Sequence, residues 1–141
     1  MIKMILLIAV CAASLAAADG ERKCTTGSLR GDYAFVVNGT RPSGPPPAEI
    51  EQFVGLTRRT FDGYGGATQT DYTRGTISGG STRSGTATYS INEDCTGTMT
   101  VINNGAPPLE ARIVIVDGGK EVWLMITSPS NIFVTAIGKR I

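Results

Sequence analysis

Residues 109–127, LEARIVIVDGGKEVWLMIT, contain two short apolar runs on either side of an Asp-Gly-Gly sequence. In the second run, apolar side chains recur at every second position (Val122, Leu124 and Ile126), which is the period of a β-strand with one buried face. The Asp-Gly pair at residues 117–118 favours a tight turn, because both residue types tolerate the positive φ angles of short hairpin loops. This stretch therefore predicts a β-hairpin.

The same alternation continues through most of the chain, for example at residues 33–37 and 87–91. Turn-forming pairs such as Asn38-Gly39 and Asp62-Gly63 lie between the apolar runs. Together these patterns predict strands at 29–38, 50–60, 67–77, 83–93, 97–103, 109–117, 120–127 and 131–139. Eight short strands with hairpin-length connections predict an all-β fold, a single eight-stranded antiparallel up-and-down β-barrel, with a β-sandwich as the alternative.

Residues 41–47, RPSGPPP, form the one long stretch without alternation. Proline has no N–H to donate to a sheet, so the whole segment is predicted to be a loop. We interpret it as a stiff connection between the first two strands, with a lid over the mouth of the barrel as the alternative.

The first eighteen residues begin with one basic residue, Lys3, followed by an apolar run and then small residues. This order is typical of a secretory signal peptide. The apolar run is too short to cross a bilayer, which takes roughly 20 residues, so no stable membrane insertion is expected. The sequence therefore predicts a signal peptide at 1–18, a β-barrel domain at 19–141, and a periplasmic or secreted protein.

Three cysteines are present, and Cys11 lies within the predicted signal peptide. Cys24 and Cys95 are left to pair in an oxidising compartment. Their disulfide would close a loop of about 70 residues, worth roughly 4 kcal/mol in the chain-entropy model, with a Cα–Cα distance of roughly 4.4–6.8 Å. A redox-active pair is the less favoured alternative, because such cysteines are usually close in sequence. For Cys11, lipid modification is an alternative to a place in a signal peptide that is simply removed.

Composition excludes several classes of function. The chain has no histidine, so Ser-His-Asp and Cys-His catalysis and His-rich zinc sites are excluded. Without Lys3, basic and acidic residues are equal at 12 each, which argues against nucleic-acid binding. The pair Arg58-Arg59 is interpreted as part of a solvated strand face. No catalytic residue, metal ligand or cofactor is predicted, although a carboxylate pair across the barrel, such as Asp32 with Glu93, stays open.

Residues 27–35, GSLRGDYAF, resemble the first strand of calycin-type barrels such as lipocalins and avidins. Those barrels begin with Gly-x-Trp, whose aromatic ring plugs one end, and here Tyr33 takes the place of the tryptophan. The motifs at 85–89 and 94–98 resemble those of small exported bacterial β-barrel proteins, and the layout is similar to that of barrels related to allene oxide cyclase. The biotin-stacking tryptophans of avidins are reduced to Trp123, and no cyclase catalytic residue is matched, so no family ligand is carried over.

These observations predict non-enzymatic binding of a small, mostly apolar molecule inside the barrel. The alternatives are a structural or protein-interaction barrel with a filled core, and an isomerase or cyclase that uses a carboxylate or tyrosine. The predicted ligand-binding residues are Tyr33, Phe35, Tyr89, Met99 and Leu124. The residues predicted to point inward are Tyr33, Phe35, Ala87, Tyr89, Met99, Val101, Ile113, Leu124 and Ile126.

The last three predicted strands are apolar on both faces, although a barrel buries only its inner face. An extended exposed apolar surface usually marks an interface. We therefore predict a homo-oligomer assembled through the C-terminal strands, with a flattened sandwich or an N-terminal segment covering that face as the alternatives. The predicted outer patch consists of Val114, Val116, Trp123, Met125 and Phe133.

Overall fold

The computed structural model describes residues 22–141, and the predicted signal peptide lies outside them. The strands are β1 (Gly31–Pro42), β2 (Ile50–Phe61), β3 (Gly66–Gly75), β4 (Gly79–Ile91), β5 (Thr96–Asn103), β6 (Leu109–Val116), β7 (Glu121–Ser128) and β8 (Phe133–Arg140). Each strand pairs antiparallel with its sequence neighbours, and β1 pairs with β8 to close the barrel. The predicted up-and-down barrel is confirmed, and the sandwich alternative is not adopted.

The turn predicted at Asn38-Gly39 is wrong, because β1 runs through both residues to Pro42. A Cβ atom on Gly39 would lie 2.0 Å from the carbonyl oxygen of Phe133, so this glycine permits close approach of β8 to β1. The predicted loop also starts too early, since Arg41 and Pro42 belong to β1. Proline is tolerated there because β8 pairs with β1 only as far as Thr40.

One end of the barrel is closed by the segment before β1, which includes a 3-10 turn at Thr26–Ser28 and the fully buried Leu29. Tyr89 donates a hydrogen bond from its hydroxyl group to the Leu29 carbonyl oxygen (3.0 Å). The Cys24–Cys95 disulfide fastens this segment to the loop between β4 and β5, with a Cα–Cα distance of 4.9 Å. The predicted disulfide is confirmed, and it holds the closing segment in place.

Aromatic rings fill the half of the barrel next to this closed end. Phe61 makes edge-to-face contacts with Tyr33 and Tyr89, each at a centroid distance of 5.2 Å. Tyr33 is fully buried, donates its hydroxyl hydrogen to the Gly119 carbonyl oxygen and accepts a bond from Arg140. All nine residues predicted to point inward are buried, which confirms the period-two assignment of the strands.

The outer surface carries a row of exposed apolar side chains at matching register positions on six neighbouring strands. We call it the outer apolar row. Its members, from β3 through the β1–β8 closure to β6, are Tyr72, Leu56, Val36, Ile137, Trp123 and Val114. On β4 and β5 the matching register positions are occupied by Thr82 and Thr96, so the apolar row does not extend onto these two strands.

In the predicted C-terminal patch, Val114, Trp123, Met125 and Phe133 are exposed, whereas Val116 is half-buried. The prediction of adjacent C-terminal strands is confirmed, because β6, β7 and β8 are neighbours in the barrel. Within residues 22–141, no helix has the length and apolarity needed to cross a membrane.

Candidate ligand-binding cavity

The end of the barrel opposite the disulfide is surrounded by the four loops at 43–49, 76–78, 104–108 and 129–132. Below these loops lies a cavity of about 160 Å³. It occupies the half of the barrel that the aromatic cluster leaves unfilled. The interior is therefore packed at one end and hollow at the other.

Strands β5 to β8 and the β1 residue Phe35 supply the apolar wall of the cavity. Its side chains are those that the period-two pattern turns inward on these strands. They include Val101, Leu124, Ile126, Val134 and Ala136. This wall offers no charged group, so it suits the apolar part of a ligand.

The opposite wall, on β2, β3 and the end of β5, is polar and centres on the buried carboxylate of Asp71. Asp71 accepts a hydrogen bond from the Thr57 hydroxyl group (2.8 Å) and from the Gln69 side-chain amide (3.0 Å). The same amide of Gln69 donates to the Asn103 side-chain oxygen at 2.9 Å. These polar groups are therefore hydrogen-bonded to one another, as buried polar groups must be to avoid a desolvation cost.

Arg59 lies in this wall with 5% of its surface exposed. Its Nε donates to the Gln69 side-chain oxygen at 2.8 Å, and its guanidinium carbon lies 4.9 Å from the centre of the Phe35 ring. Burial lowers the pKa of Arg59 to about 10, an effect that the negative charge of Asp71 opposes. Arg59 therefore stays charged at neutral pH.

The prediction that Arg58 and Arg59 both belong to a solvated face is wrong for Arg59. Adjacent strand residues point to opposite faces, so only one of the two can be on the outside. Arg58 is exposed and forms an ion pair with Asp32 at 2.7 Å, whereas Arg59 enters the barrel. The charge of Arg59 is tolerated inside because Gln69 and Asp71 lie on the neighbouring strand.

Toward the loops, the cavity adjoins an outer hollow of about 770 Å³. Arg41 and Arg83 line both spaces, and we call the place where the two spaces meet the neck. Prolines and glycine of the segment 42–48 line the outer hollow, which places this segment at the mouth. Its position fits the lid alternative as well as the stiff connection.

Arg41 is fixed in place by the buried carboxylate of Glu51. Its Nε lies 3.0 Å from Glu51 Oε1, and the other carboxylate oxygen accepts the backbone N–H groups of Ile77 and Ser78. The Ser78 hydroxyl group and these backbone donors, together with Arg41, lower the pKa of Glu51 to about 2. The ionised Glu51 carboxylate thus connects Arg41 to the turn between β3 and β4.

The five residues predicted to bind a ligand separate into two groups. Phe35 and Leu124 line the cavity. Tyr33, Tyr89 and Met99 lie outside its lining, in the packed interior. Their role in binding stays a prediction, and the structure gives them a role in packing.

The polar wall was missed by sequence reasoning, although the alternation that locates it is present. Arg59 has the same period-two position as Phe53 and Phe61, both of which are buried. Gln69 and Asp71 likewise share their face with Ala67. Extending the apolar alternation through the intervening polar residues would have placed all of them inside.

The carboxylate pair left open for Asp32 and Glu93 does not form. Asp32 accepts hydrogen bonds from Thr60 and Arg58, which lower its pKa, and Glu93 forms an exposed ion pair with Lys23 at 2.7 Å. Among residues 22–141, no three histidine, cysteine, aspartate or glutamate side chains come together in a way that could hold a metal ion.

Comparison of the chain with protein-family models, curated proteins and solved structures finds no match.

Proposed function

We propose that this protein is an exported barrel that binds a small, mostly apolar molecule in its cavity. The observation that carries the proposal is the cavity of about 160 Å³ with one apolar wall, open at one end of an otherwise packed barrel. A volume of about 150 Å³ is enough to hold one ring, such as benzene. The Cys24–Cys95 disulfide supports an oxidising compartment.

The size of the cavity limits the ligand. Pockets for drug-sized molecules have roughly 300–1,000 Å³, so the inner space alone holds about one ring or a short chain. A longer ligand would extend through the neck into the outer hollow. The side chains of the polar wall are mostly bonded to one another, which favours a ligand whose inner part makes few hydrogen bonds.

Native mass spectrometry of the protein purified from its own host tests this proposal directly. We expect an added mass that disappears on denaturation and corresponds to a small apolar compound. Titration with toluene, followed by NMR chemical shifts of the methyl groups of Leu124 and Val134, tests the cavity independently. The absence of both a retained ligand and any shift at these methyl groups would contradict the proposal.

Filling the cavity should abolish binding without unfolding the protein. Ala136 is buried and lines the cavity, so the leucine side chain of Ala136→Leu can extend into empty space. We expect the loss of toluene-induced shifts with a melting temperature equal to or above that of the wild type. Thermal unfolding by circular dichroism and the NMR titration measure the two effects.

The matched control is Ala111→Leu, the same substitution at a buried alanine outside the cavity lining. Extra methylene groups in a packed core typically cost about 1–3 kcal/mol. We therefore expect this variant to be destabilised while it still binds toluene. Equal destabilisation of both variants would mean that the space beside Ala136 is not available to a ligand.

Self-association is a second candidate function, favoured by the outer apolar row. Six neighbouring strands present large apolar side chains there, with Leu56 61% and Trp123 52% exposed. Ion pairs lie beside the row, between Arg58 and Asp32 and between Lys139 and Glu121, so these four charges compensate one another. A second copy of this chain fits such a surface, since the same apolar face on both copies can pack together about a two-fold axis.

A charge placed in this row should disrupt the oligomer. We expect light scattering at micromolar concentration to show an oligomer for the wild type and a monomer for Trp123→Glu. Thr82→Glu is the matched control, because Thr82 is an exposed member of the same register row on a strand outside the apolar part. A monomeric wild type, or an oligomer that persists in Trp123→Glu, would contradict self-association through this face.

A further inference from the structure

The charged groups around the neck do not balance. Arg41, Arg59 and Arg83 line the cavity, whereas the carboxylates beside them are those of Glu51 and Asp71. Three positive charges against two negative ones leave an excess of one positive charge. An excess charge in a partly buried site is unfavourable unless a counter-charge is supplied.

In the part of the chain that the structure describes, Arg83 differs from the other two arginines in its lack of hydrogen-bond partners. Its Nη2 lies 4.0 Å from Asp71 Oδ2, which is beyond hydrogen-bond distance, and its buried Nε has no hydrogen-bond partner among the described residues. Asp71 is already bonded to Thr57 and Gln69, so it does not need Arg83 as a donor. The side chain of Arg83 is 29% exposed and borders both spaces, which makes it accessible from the mouth.

The other two arginines differ from Arg83 in this respect. Arg41 is bonded to the Glu51 carboxylate and lies 3.3 Å from the Ser78 hydroxyl oxygen. Arg59 donates to Gln69 and to the Met99 sulfur atom, and it packs against Phe35. Each of them has a structural use, so the missing partner belongs to Arg83.

We propose that the ligand is an organic anion with a single negative charge, whose charged group binds Arg83 at the neck while its apolar part occupies the cavity. This inference rests on the proposed function and specifies its ligand class. A planar guanidinium group binds a carboxylate through two parallel hydrogen bonds, and such charge-assisted bonds are stronger than neutral ones. The ligand supplies the missing negative charge, which pairs with the exposed part of the Arg83 side chain.

The test compares three probes of matched shape on the wild-type protein by isothermal titration calorimetry at pH 7. They are 3-phenylpropanoate, 3-phenyl-1-propanol and 3-phenylpropylamine, which have the same ring and chain and differ in the charge of the end group. We expect the carboxylate to bind at least about tenfold more tightly than the alcohol, since hydrogen bonds to charged groups are stronger than those between neutral groups. We expect the ammonium probe to bind most weakly, because the neck already carries positive charge.

Variants assign this preference to one residue. Arg83→Gln should bind the carboxylate and the alcohol within about twofold of each other, and Arg83→Lys should retain part of the preference because it keeps the charge. Arg74→Gln is the matched control, since Arg74 is exposed on the outer face of β3. It should leave all three affinities unchanged.

The outcomes separate the two proposals. Equal binding of the carboxylate and the alcohol by the wild type, or a preference that survives in Arg83→Gln, overturns the anion site and leaves the apolar cavity standing. Failure of all three probes to bind overturns this inference, and it overturns the proposed function as well when neither a retained ligand nor a toluene-induced shift is found. The comparison of probes on the wild type gives a result even if a variant does not fold.

Discussion

Reduction of the Cys24–Cys95 disulfide is expected to lower the free energy of unfolding by about 4 kcal/mol. The two cysteines are 71 residues apart, so the bridge removes a large amount of conformational freedom from the unfolded chain. It also fastens the segment that closes one end of the barrel, where Leu29 is fully buried. For a domain of this size, the melting temperature should fall by roughly 15 °C.

Urea unfolding with and without dithiothreitol, followed by circular dichroism, measures this change. The double variant Cys24→Ser/Cys95→Ser is the control, and it should match the reduced wild type and show no response to the reductant. Identical unfolding midpoints for the oxidised and reduced wild type would contradict the expected contribution of the bridge.

Replacement of Asp71 by leucine should destabilise the protein by about 3–5 kcal/mol, the usual cost of removing one partner from a buried charged network. The substitution leaves Arg59 buried without the carboxylate that opposes its desolvation. It also removes the acceptor of the Thr57 hydroxyl group and of the Gln69 amide. Chemical denaturation of the purified variant gives the change in free energy.

Two further variants separate charge from hydrogen bonding. Asp71→Asn keeps an acceptor for Thr57 and loses only the charge, so we expect a smaller destabilisation than for Asp71→Leu. The double variant Arg59→Leu/Asp71→Leu should be more stable than the sum of the single effects predicts, because it removes both charges together. Additive effects would show that Arg59 and Asp71 are not coupled through Gln69.

Much of the barrel can be predicted from local patterns in the sequence. The stretch 109–127 identifies β6, its turn and β7, because apolar alternation and an Asp-Gly pair each act over a few residues. Hairpin connections then determine which strands are neighbours. The end of β1 could not be predicted in this way. Gly39 continues the strand because the lack of a side chain allows β8 to approach closely, and β8 is distant in sequence.

The polar wall illustrates a different limit. A charged residue is assigned to solvent by default, because burial of an isolated charge is costly. Arg59 is stable inside because its cross-strand partner, Gln69, accepts its hydrogen bonds. Two residues further along the same two strands, Thr57 is the cross-strand partner of Asp71, whose negative charge lies near Arg59. These pairings depend on the exact register of β2 and β3, which alternation alone does not supply.

The full extent of the outer apolar row also depends on long-range pairing, in this case on the closure of the barrel. Apolar residues on both faces of β6, β7 and β8 predict a patch on those strands, and four of its five predicted members are exposed. Its continuation onto Val36 and Leu56 follows from the pairing of β1 with β8. A pairing between the first and last strands has no local pattern in the sequence.

We expect that same pairing to be the last step of the folding reaction. Tyr33 and Arg140, cross-strand partners in the closing pair, are 107 residues apart, and contacts of such long range form slowly. Until these contacts form, β1 and the last strand that has been added to the sheet each have one edge of unpaired backbone N–H and C=O groups. Such open edges promote aggregation. Ala136 of β8 completes the cavity and Ile137 completes the outer apolar row, so a chain folded only as far as β7 has neither surface in full. If the cavity binds a ligand as proposed, binding during refolding should report that the last strand has docked.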